Sequence, residues 1–124
     1  MTERFSVSPP PMKVHGRAVK LARLLGNPVR LRILLALRES PRCVRDLMEI
    51  TGRSQANVSQ HLMVLRAADL VRTTKDGTRV IYHLRCRRVA ELLDALADTA
   101  AALDALDGME GMSRKPCGPR KCDW

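Results

Sequence analysis

Aromatic residues are almost absent from this sequence, which contains one Phe, one Tyr and one Trp in 124 residues. The core must therefore be built from Leu, Val, Ile, Ala and Met, as in small helical folds. No apolar run approaches the ~20 residues that span a bilayer, and residues 1–13 lack the apolar stretch of a signal peptide. We therefore expect a cytoplasmic protein in which the four cysteines are reduced thiols.

Acidic residues are few compared with basic ones. The chain has 13 Asp and Glu against 22 Lys and Arg, which gives a formal net charge of +9. A basic chain of this size most often meets a polyanion such as nucleic acid, with a membrane surface as the competing polyanion. At this length the chain is expected to form one domain, which is small enough that dimerisation would help to complete its core.

Prolines and glycines divide the N-terminal half of the chain into an arm and three helices. Pro9, Pro10 and Pro11 fix φ and remove hydrogen-bond donors, so residues 1–13 are expected to form a flexible arm. Apolar residues at helical spacing, ended each time by a Gly, Ser-Pro or Thr-Gly signal, predict helices over residues 15–25, 28–38 and 44–50. In the second helix, the residues predicted to face the core are Leu31, Leu34 and Leu35.

Residues 54–70, SQANVSQHLMVLRAADL, predict a fourth helix with an unusual polar face. Ser54 is a good N-cap, and an apolar stripe follows at helical spacing: Val58, Leu62 and Leu65. Ala56 and Gln60 stand opposite this stripe, with Gln55 and Ser59 more to one side. These are small, amide and hydroxyl groups, where a solvated helix usually carries Glu and Lys. Amides match adenine and hydroxyls bind either base partner, so this face can read DNA. Alone, the pattern fits an ordinary amphipathic helix equally well.

The neighbouring elements favour the DNA-reading interpretation. Two helices joined by a short Gly-containing turn, the second capped by Ser, present a recognition helix to the major groove. Leu70 and Val71 begin a strand, residues 75–77 supply a hairpin turn, and residues 79–84 return as the second strand of a wing. We therefore predict a DNA-binding surface that comprises Arg53, Ser54, Gln55, Ala56, Asn57, Ser59, Gln60, His61, Lys75 and Arg79.

A long apolar stripe predicts a last helix from about Arg88 to Asp107. Its leucines alternate spacings of four and three, and Leu93, Ala97 and Ala100 widen the stripe. A chain this short has too little domain to cover the stripe, so we predict dimerisation through the first and last helices, with these interface residues: Leu21, Leu92, Leu96 and Leu103. Residues 14–107 then form a DNA-binding and dimerisation domain, and residues 108–124 a flexible tail.

The predicted fold is mainly α with a small β-hairpin, a winged helix-turn-helix, and residues 17–107 resemble the ArsR/SmtB family of repressors. The resemblance is carried by LLGNPVRLRILLALRES, CVRDLMEITGRSQANVSQHLMVLRAADLV and RTTKDGTRVIYHL. It implies a homodimer, without enzymatic activity, that binds a partly palindromic operator in its cofactor-free form. It also implies release from DNA when an inducer binds, often a thiophilic metal or metalloid.

The family's metal-site motifs match this sequence only in part. In arsenic and cadmium sensors the third helix opens with Cys-Val-Cys-Asp-Leu, whereas residues 43–47 here read Cys-Val-Arg-Asp-Leu. Cys43 therefore matches the first ligand, and Arg45 replaces the second. Zinc sensors use an Asp-x-His pair in the last helix, which corresponds here to Cys86 and Arg88. The downstream carboxylate and histidine of that zinc site are absent, which excludes it.

Two more cysteines, Cys117 and Cys122, lie in the basic tail. Trivalent arsenic or antimony takes three thiolates, and cadmium, lead or zinc takes three or four. We therefore hypothesise an inducer site of Cys43, Cys117 and Cys122, although Cys43 can also pack as a small hydrophobic residue. Cys86 is expected to be half-buried. Two alternatives stay open: the same repressor sensing oxidants or reactive sulfur through a disulfide, and, more remotely, a thiol redox or metal-delivery protein.

Overall fold

The computed structural model describes residues 12–110, with side chains from residue 16 to residue 108. In chain order the elements are α1 (Met12–Leu25), α2 (Pro28–Glu39), α3 (Val44–Thr51), α4 (Gln55–Ala67), β1 (Val71–Asp76), β2 (Arg79–Leu84) and α5 (Arg87–Glu110). This order confirms the predicted winged helix-turn-helix, mainly helical with one hairpin. The flexible arm was predicted over residues 1–13, but Met12 and Lys13 belong to α1, so that end of the prediction was wrong. The rest of the predicted arm, and the tail cysteines Cys117 and Cys122, lie outside the described residues.

The start of α2 is defined by a cap that the sequence predicts. The Asn27 side chain accepts hydrogen bonds from the backbone amides of Val29 at 2.9 Å and Arg30 at 3.1 Å. Pro28 occupies the first helical turn, where the absence of its N–H leaves no unpaired donor. The cap and the proline together set the first residue of α2, and hence the positions of the arginines in its first two turns.

The buried core of the first compact unit, which ends at Ala90, is aliphatic. Ile33, Leu34, Leu47, Val58 and Leu65 are 0% exposed, and the core contains no aromatic side chain within the described residues. Burial of one such side chain stabilises the fold by about 1.5–3 kcal/mol. Helices α2, α3 and α4 are therefore held together by contacts among small branched side chains.

The buried face of α2 differs from the predicted one. Leu34 is buried as expected, but Leu35 is 38% exposed and Leu31 is only half-buried. Ile33, Ala36 and Leu37 are buried instead. Because successive residues of a helix are about 100° apart, Leu35 lies opposite the face centred on Ile33 and Leu37. The prediction for Leu35 was wrong because α2 is apolar on several sides, so periodicity alone did not identify the buried one.

The wing is an antiparallel pair whose register runs from Val71 opposite Leu84 to Asp76 opposite Arg79. The turn is therefore Gly77-Thr78, one residue later than the predicted turn over residues 75–77. Gly77 has a φ of 68°, a left-handed conformation that a two-residue hairpin turn requires and that glycine adopts without a steric cost.

The last helix, α5, extends to Glu110 and does not end before Gly108. A glycine inside a helix costs about 1 kcal/mol relative to alanine but does not by itself end the helix. Leu93 was expected to widen the apolar stripe, yet it is 1% exposed, whereas Leu92 and Leu96 are each 39% exposed. One residue corresponds to about 100° of rotation, so Leu93 lies on a different face from Leu92.

The second compact unit begins at Glu91, inside α5. Of the helices in residues 12–110, none combines the length and the apolar character that crossing a membrane requires.

Candidate nucleic-acid interface

The turn between α3 and α4 is held by side-chain hydrogen bonds. The Thr51 hydroxyl donates to the carbonyl of Leu47 at 2.7 Å and accepts from the backbone amide of Arg53 at 3.3 Å. Gly52, with a φ of 70°, closes α3 in the left-handed conformation. Ser54 then caps α4, as predicted, because its hydroxyl accepts from the amide of Asn57 at 3.2 Å. The first residues of α4 are therefore rigidly positioned.

The two sides of α4 differ in exposure as the sequence predicts. The apolar stripe of Val58, Leu62 and Leu65 is at most 1% exposed. The residues of the predicted polar face that are open to solvent are Gln55, Ala56 and Gln60, preceded by the exposed Arg53 and Ser54. Helix α4 therefore presents amide side chains outward from its first two turns.

Three predicted DNA-binding residues of α4 are less accessible. Ser59 and His61 are half-buried, and so is Asn57. The Oδ1 atom of Asn57 is buried and has no hydrogen-bond partner among the described residues. Asn57 is therefore less accessible to DNA than Gln55 and Gln60.

Met63 is a residue of this face that the sequence analysis missed. It is 67% exposed and lies one turn after Gln60. With Ser59, Arg66 and Tyr82 it lines an open groove of about 480 Å³ between α4 and β2. Helical spacing could have identified Met63, because position 63 is two turns after Ala56 and lies on the same side of the helix.

The two predicted wing cations lie on opposite faces of the hairpin. Lys75 is paired with Val80, and Arg79 is paired with Asp76, so their side chains alternate between the two faces. Arg72, which is paired with His83, shares a face with Arg79. All three cations are exposed, and each face of the wing therefore carries positive charge.

Two arginines from different elements lie near His61, in the second turn of α4. The pKa of His61 is lowered, first by its burial and then by the positive charges of Arg30 and Arg53. Arg30 belongs to α2, and its Nε donates to the carbonyl of Leu24 at 3.3 Å. Arg30 was not among the predicted site residues, because its nearness to α4 depends on how two helices pack.

The two cysteines within the described residues have different environments. Cys43 is 8% exposed and occupies the N-cap position of α3, where its side chain makes no capping hydrogen bond. Cys86 is exposed, so the expected half-buried position was wrong; it lies in the short link between β2 and α5. Both are free thiols. Residues 16–108 contain no group of three His, Cys, Asp or Glu side chains arranged to hold a metal ion.

Comparison with known proteins identifies relatives with the same architecture. Residues 27–73 match the family model described as bacterial regulatory protein, arsR family. The chain is 43% identical over 91 residues to the HTH-type transcriptional repressor SmtB of Mycobacterium tuberculosis, across 73% of this chain and 67% of that protein. The crystal structure of Rv0081 from M. tuberculosis matches with a TM-score of 0.68 at 34% identity, covering 82% of this chain and 99% of that one. HlyU from Vibrio cholerae matches with a TM-score of 0.67 at 32% identity, covering 72% and 97%.

Proposed function

This chain belongs to the arsR family of bacterial regulatory proteins, which are DNA-binding transcriptional regulators and not enzymes, and we propose that it represses transcription by binding an operator with α4 in the major groove. One observation carries the proposal. Gln55, Ala56 and Gln60 are exposed at the capped end of α4, while the opposite stripe of the same helix is fully buried. A face of amides and a small apolar residue is suited to base edges and to the thymine methyl group.

The contacts divide into base-reading and phosphate-binding groups. We assign base contacts to Gln55, Ala56, Ser59 and Gln60, because their short polar or apolar side chains suit direct readout. Phosphate contacts belong to the flanking donors: Arg53, Ser54, Asn57, His61, Lys75 and Arg79. Asn57 is the weakest candidate for a phosphate contact among these residues, because its side-chain oxygen is buried.

Operator binding by a homodimer is supported by the exposed leucines of α5. Leu92 and Leu96 are each 39% exposed, and Leu103 is 56% exposed. Apolar side chains at this spacing along a helix are suited to pack on the same helix of a second subunit, with Leu21 of α1 contributing. Two subunits then present two α4 helices about 34–36 Å apart, which is one turn of DNA, to a partly palindromic site.

For the inducer we propose trivalent arsenic or antimony, bound by Cys43 with Cys117 and Cys122. Cys43 borders an open cavity of about 340 Å³ that Val44, Arg45, Arg79 and Val80 also line. Two of these lining residues, Arg45 and Arg79, carry guanidinium groups. They repel a divalent cation such as cadmium, whereas trivalent arsenic and antimony hydroxides are uncharged at neutral pH. Arg45 therefore changes which inducer is favoured at this position.

Release from DNA follows if the inducer prefers a conformation that binds DNA poorly. A ligand held by Cys43 and the two tail cysteines draws the tail onto the start of α3, the first helix of the helix-turn-helix. The resulting loss of operator binding free energy cannot exceed the difference in the ligand's binding free energy for the two conformations.

Fluorescence anisotropy with a duplex from the protein's own promoter, and with a shuffled duplex, tests the DNA-binding proposal. Gln60→Ala should weaken binding to the promoter duplex by about 1–3 kcal/mol and leave the shuffled duplex unaffected, because it removes a base contact. Lys75→Ala should weaken both duplexes equally, because it removes a phosphate contact. If wild type binds both duplexes alike, the proposed operator recognition is wrong.

Titration of the promoter complex with arsenite, antimonite, cadmium and lead tests the inducer. We expect arsenite and antimonite to release wild type, and Cys43→Ser, Cys117→Ser and Cys122→Ser each to abolish release. Cys86→Ser is the matched control and should respond as wild type. Release that survives both tail substitutions contradicts the site. Release by peroxide or polysulfide alone, with a Cys117–Cys122 disulfide seen by mass spectrometry, favours the redox-sensing alternative instead.

A further inference from the structure

Two arginines share a small cavity between the start of α2 and the α3–α4 turn. The cavity has a volume of about 110 Å³ and is lined by Pro28, Val29, Arg32, Thr51 and Arg53. No acidic side chain is among its lining residues. Arg32 and Arg53 are exposed, and within residues 16–108 neither guanidinium forms a hydrogen bond or an ion pair. Two unpaired cations beside one cavity attract an anion.

The cavity is built on backbone that is already fixed. The backbone amides of Val29 and Arg30 donate to the Asn27 side chain, so these donors at the start of α2 are not free to bind an anion. Thr51 likewise uses its hydroxyl twice, toward the Leu47 carbonyl and the Arg53 amide. An anion in the cavity is therefore bound by the guanidinium groups, which the capped helix and the hydrogen-bonded turn hold on its two sides.

The cavity lies next to the end of α4 that we propose enters the groove. Arg53 directly precedes Ser54, the N-cap of α4. Arg53 and Arg30 are both near enough to His61 to act on its charge, so α2, the turn and α4 meet at this point. A phosphate at the edge of a groove that holds α4 would reach this position, and guanidinium groups bind phosphate oxygens in a bidentate manner.

We propose that Arg32 and Arg53 together bind one backbone phosphate of the DNA beside the major groove that α4 enters. This proposal rests on the proposed operator binding and adds a contact from α2, which the wing and α4 do not supply. The contact is independent of base sequence. It sets the position of α4 along the groove and contributes to binding of any duplex.

Salt titrations of the promoter complex, measured by anisotropy in sodium chloride, test the phosphate contact. Arg32→Ala should reduce the slope of log K against log salt by about 0.9, the value for one phosphate. It should also weaken the promoter and shuffled duplexes about tenfold each, leaving their ratio unchanged. Arg32→Lys should retain the slope, because it retains the charge.

Arg17→Ala is the matched control. Arg17 is also exposed, but it lines a cavity with Ala67, Ala68 and Asp69, at the other end of α4. That end lies about 20 Å from the N-cap, as the rise of a 13-residue helix requires. Arg17→Ala should leave the salt slope as in wild type.

The outcomes separate the two proposals. If wild type does not prefer its promoter duplex, the proposed function fails. If wild type shows that preference but Arg32→Ala has the wild-type slope and affinity, the phosphate site is wrong and operator binding stands. A further titration adds inorganic phosphate to the promoter complex at matched ionic strength. If Arg32→Ala alters only the response to phosphate and not the chloride slope, the cavity takes free phosphate, which overturns the proposal.

Discussion

Arg42 and Tyr82 exchange two backbone hydrogen bonds: the amide of Arg42 donates to the Tyr82 carbonyl at 3.0 Å, and the amide of Tyr82 donates to the Arg42 carbonyl at 2.8 Å. This bridge joins the link between α2 and α3 to the middle of β2. The Arg42 side chain also reaches back to α2, where its Nε donates to the Ala36 carbonyl at 3.1 Å. The wing is therefore attached to the helix-turn-helix by the main chain, next to Cys43.

Arg42→Ala should destabilise the fold by about 1 kcal/mol, the usual net contribution of one hydrogen bond, because the Ala36 carbonyl loses one of its two donors and keeps only the Ser40 amide at 3.3 Å. Urea denaturation followed by circular dichroism measures this. Glu39→Ala is the control: it removes only the 3.4 Å ion pair with Arg42, and Glu39 is 75% exposed. Its effect should be within about 0.5 kcal/mol. Equal losses in the two variants would contradict the role of the Ala36 contact.

Asn27→Ala should cost about 1 kcal/mol of unfolding free energy, because two amides at the start of α2 lose their acceptor. Asn27→Asp should keep most of the stability, since a carboxylate accepts the same bonds and interacts favourably with the helix dipole. The midpoints of urea unfolding for the three proteins give the comparison. A destabilised Asn27→Asp variant would show that the Asn27 side chain stabilises the fold by something other than accepting these two hydrogen bonds.

The titration of His61 should respond to its arginine neighbours. Burial and the charges of Arg30 and Arg53 lower its pKa below the ordinary 6.5. Arg53→Gln should raise the pKa, because it removes a nearby positive charge, whereas Arg17→Gln should leave it unchanged. Proton NMR of the imidazole signals measures both. An unaltered pKa in Arg53→Gln would mean that Arg53 is not beside His61.

The same pKa shift predicts the direction of acid sensitivity. Because the pKa of His61 is lower in the folded state, the unfolded chain binds a proton more readily as the pH falls below 6.5. The stabilisation by neutral His61 is therefore present above pH 6.5 and is lost as the pH falls toward the folded-state pKa. Urea midpoints at pH 7.5 and 5.5 should differ less in His61→Gln than in wild type. A difference as large as in wild type would contradict this assignment.

The proposed dimer predicts that a charge in the α5 stripe separates the subunits. Leu96→Glu should shift the protein to monomer in sedimentation equilibrium, because the charge must be desolvated in the interface. Met63→Glu is the matched control: Met63 is an exposed apolar residue on α4, and its replacement should leave the dimer intact. A Leu96→Glu protein that remains dimeric would exclude this stripe as the interface.

Local chemistry made the caps of α2 and α4 and the end of α3 predictable. Asn27-Pro28, Ser54 and Gly52 act within one helical turn, so the sequence alone contains the whole signal. The apolar stripe of α4 was equally clear in the first two turns, where the other sides of the helix are polar or small. Where a helix is apolar on more than one side, as at Leu35 and Leu93, the buried side depends on packing partners that the sequence does not reveal.

The candidate site was predictable where it lies on one element and not where elements meet. Ala56 and Gln60 share a face of α4, and helical spacing identified that face. Arg32 was missed because the cavity that it shares with Arg53 exists only when α2 packs beside the α3–α4 turn. The exposure of Cys86 was likewise set by the link between β2 and α5, for which no periodic pattern exists.

Hydroxyl-radical footprinting of the protein on its own promoter tests operator binding through α4 most directly. Wild type should protect two half-sites whose centres are about 10 base pairs apart, one for each subunit of the dimer. The Gln55→Ala/Gln60→Ala double variant should lose this pattern at protein concentrations that give full protection by wild type. No discrete protected site with wild type, or an unchanged footprint with the double variant, would contradict the account.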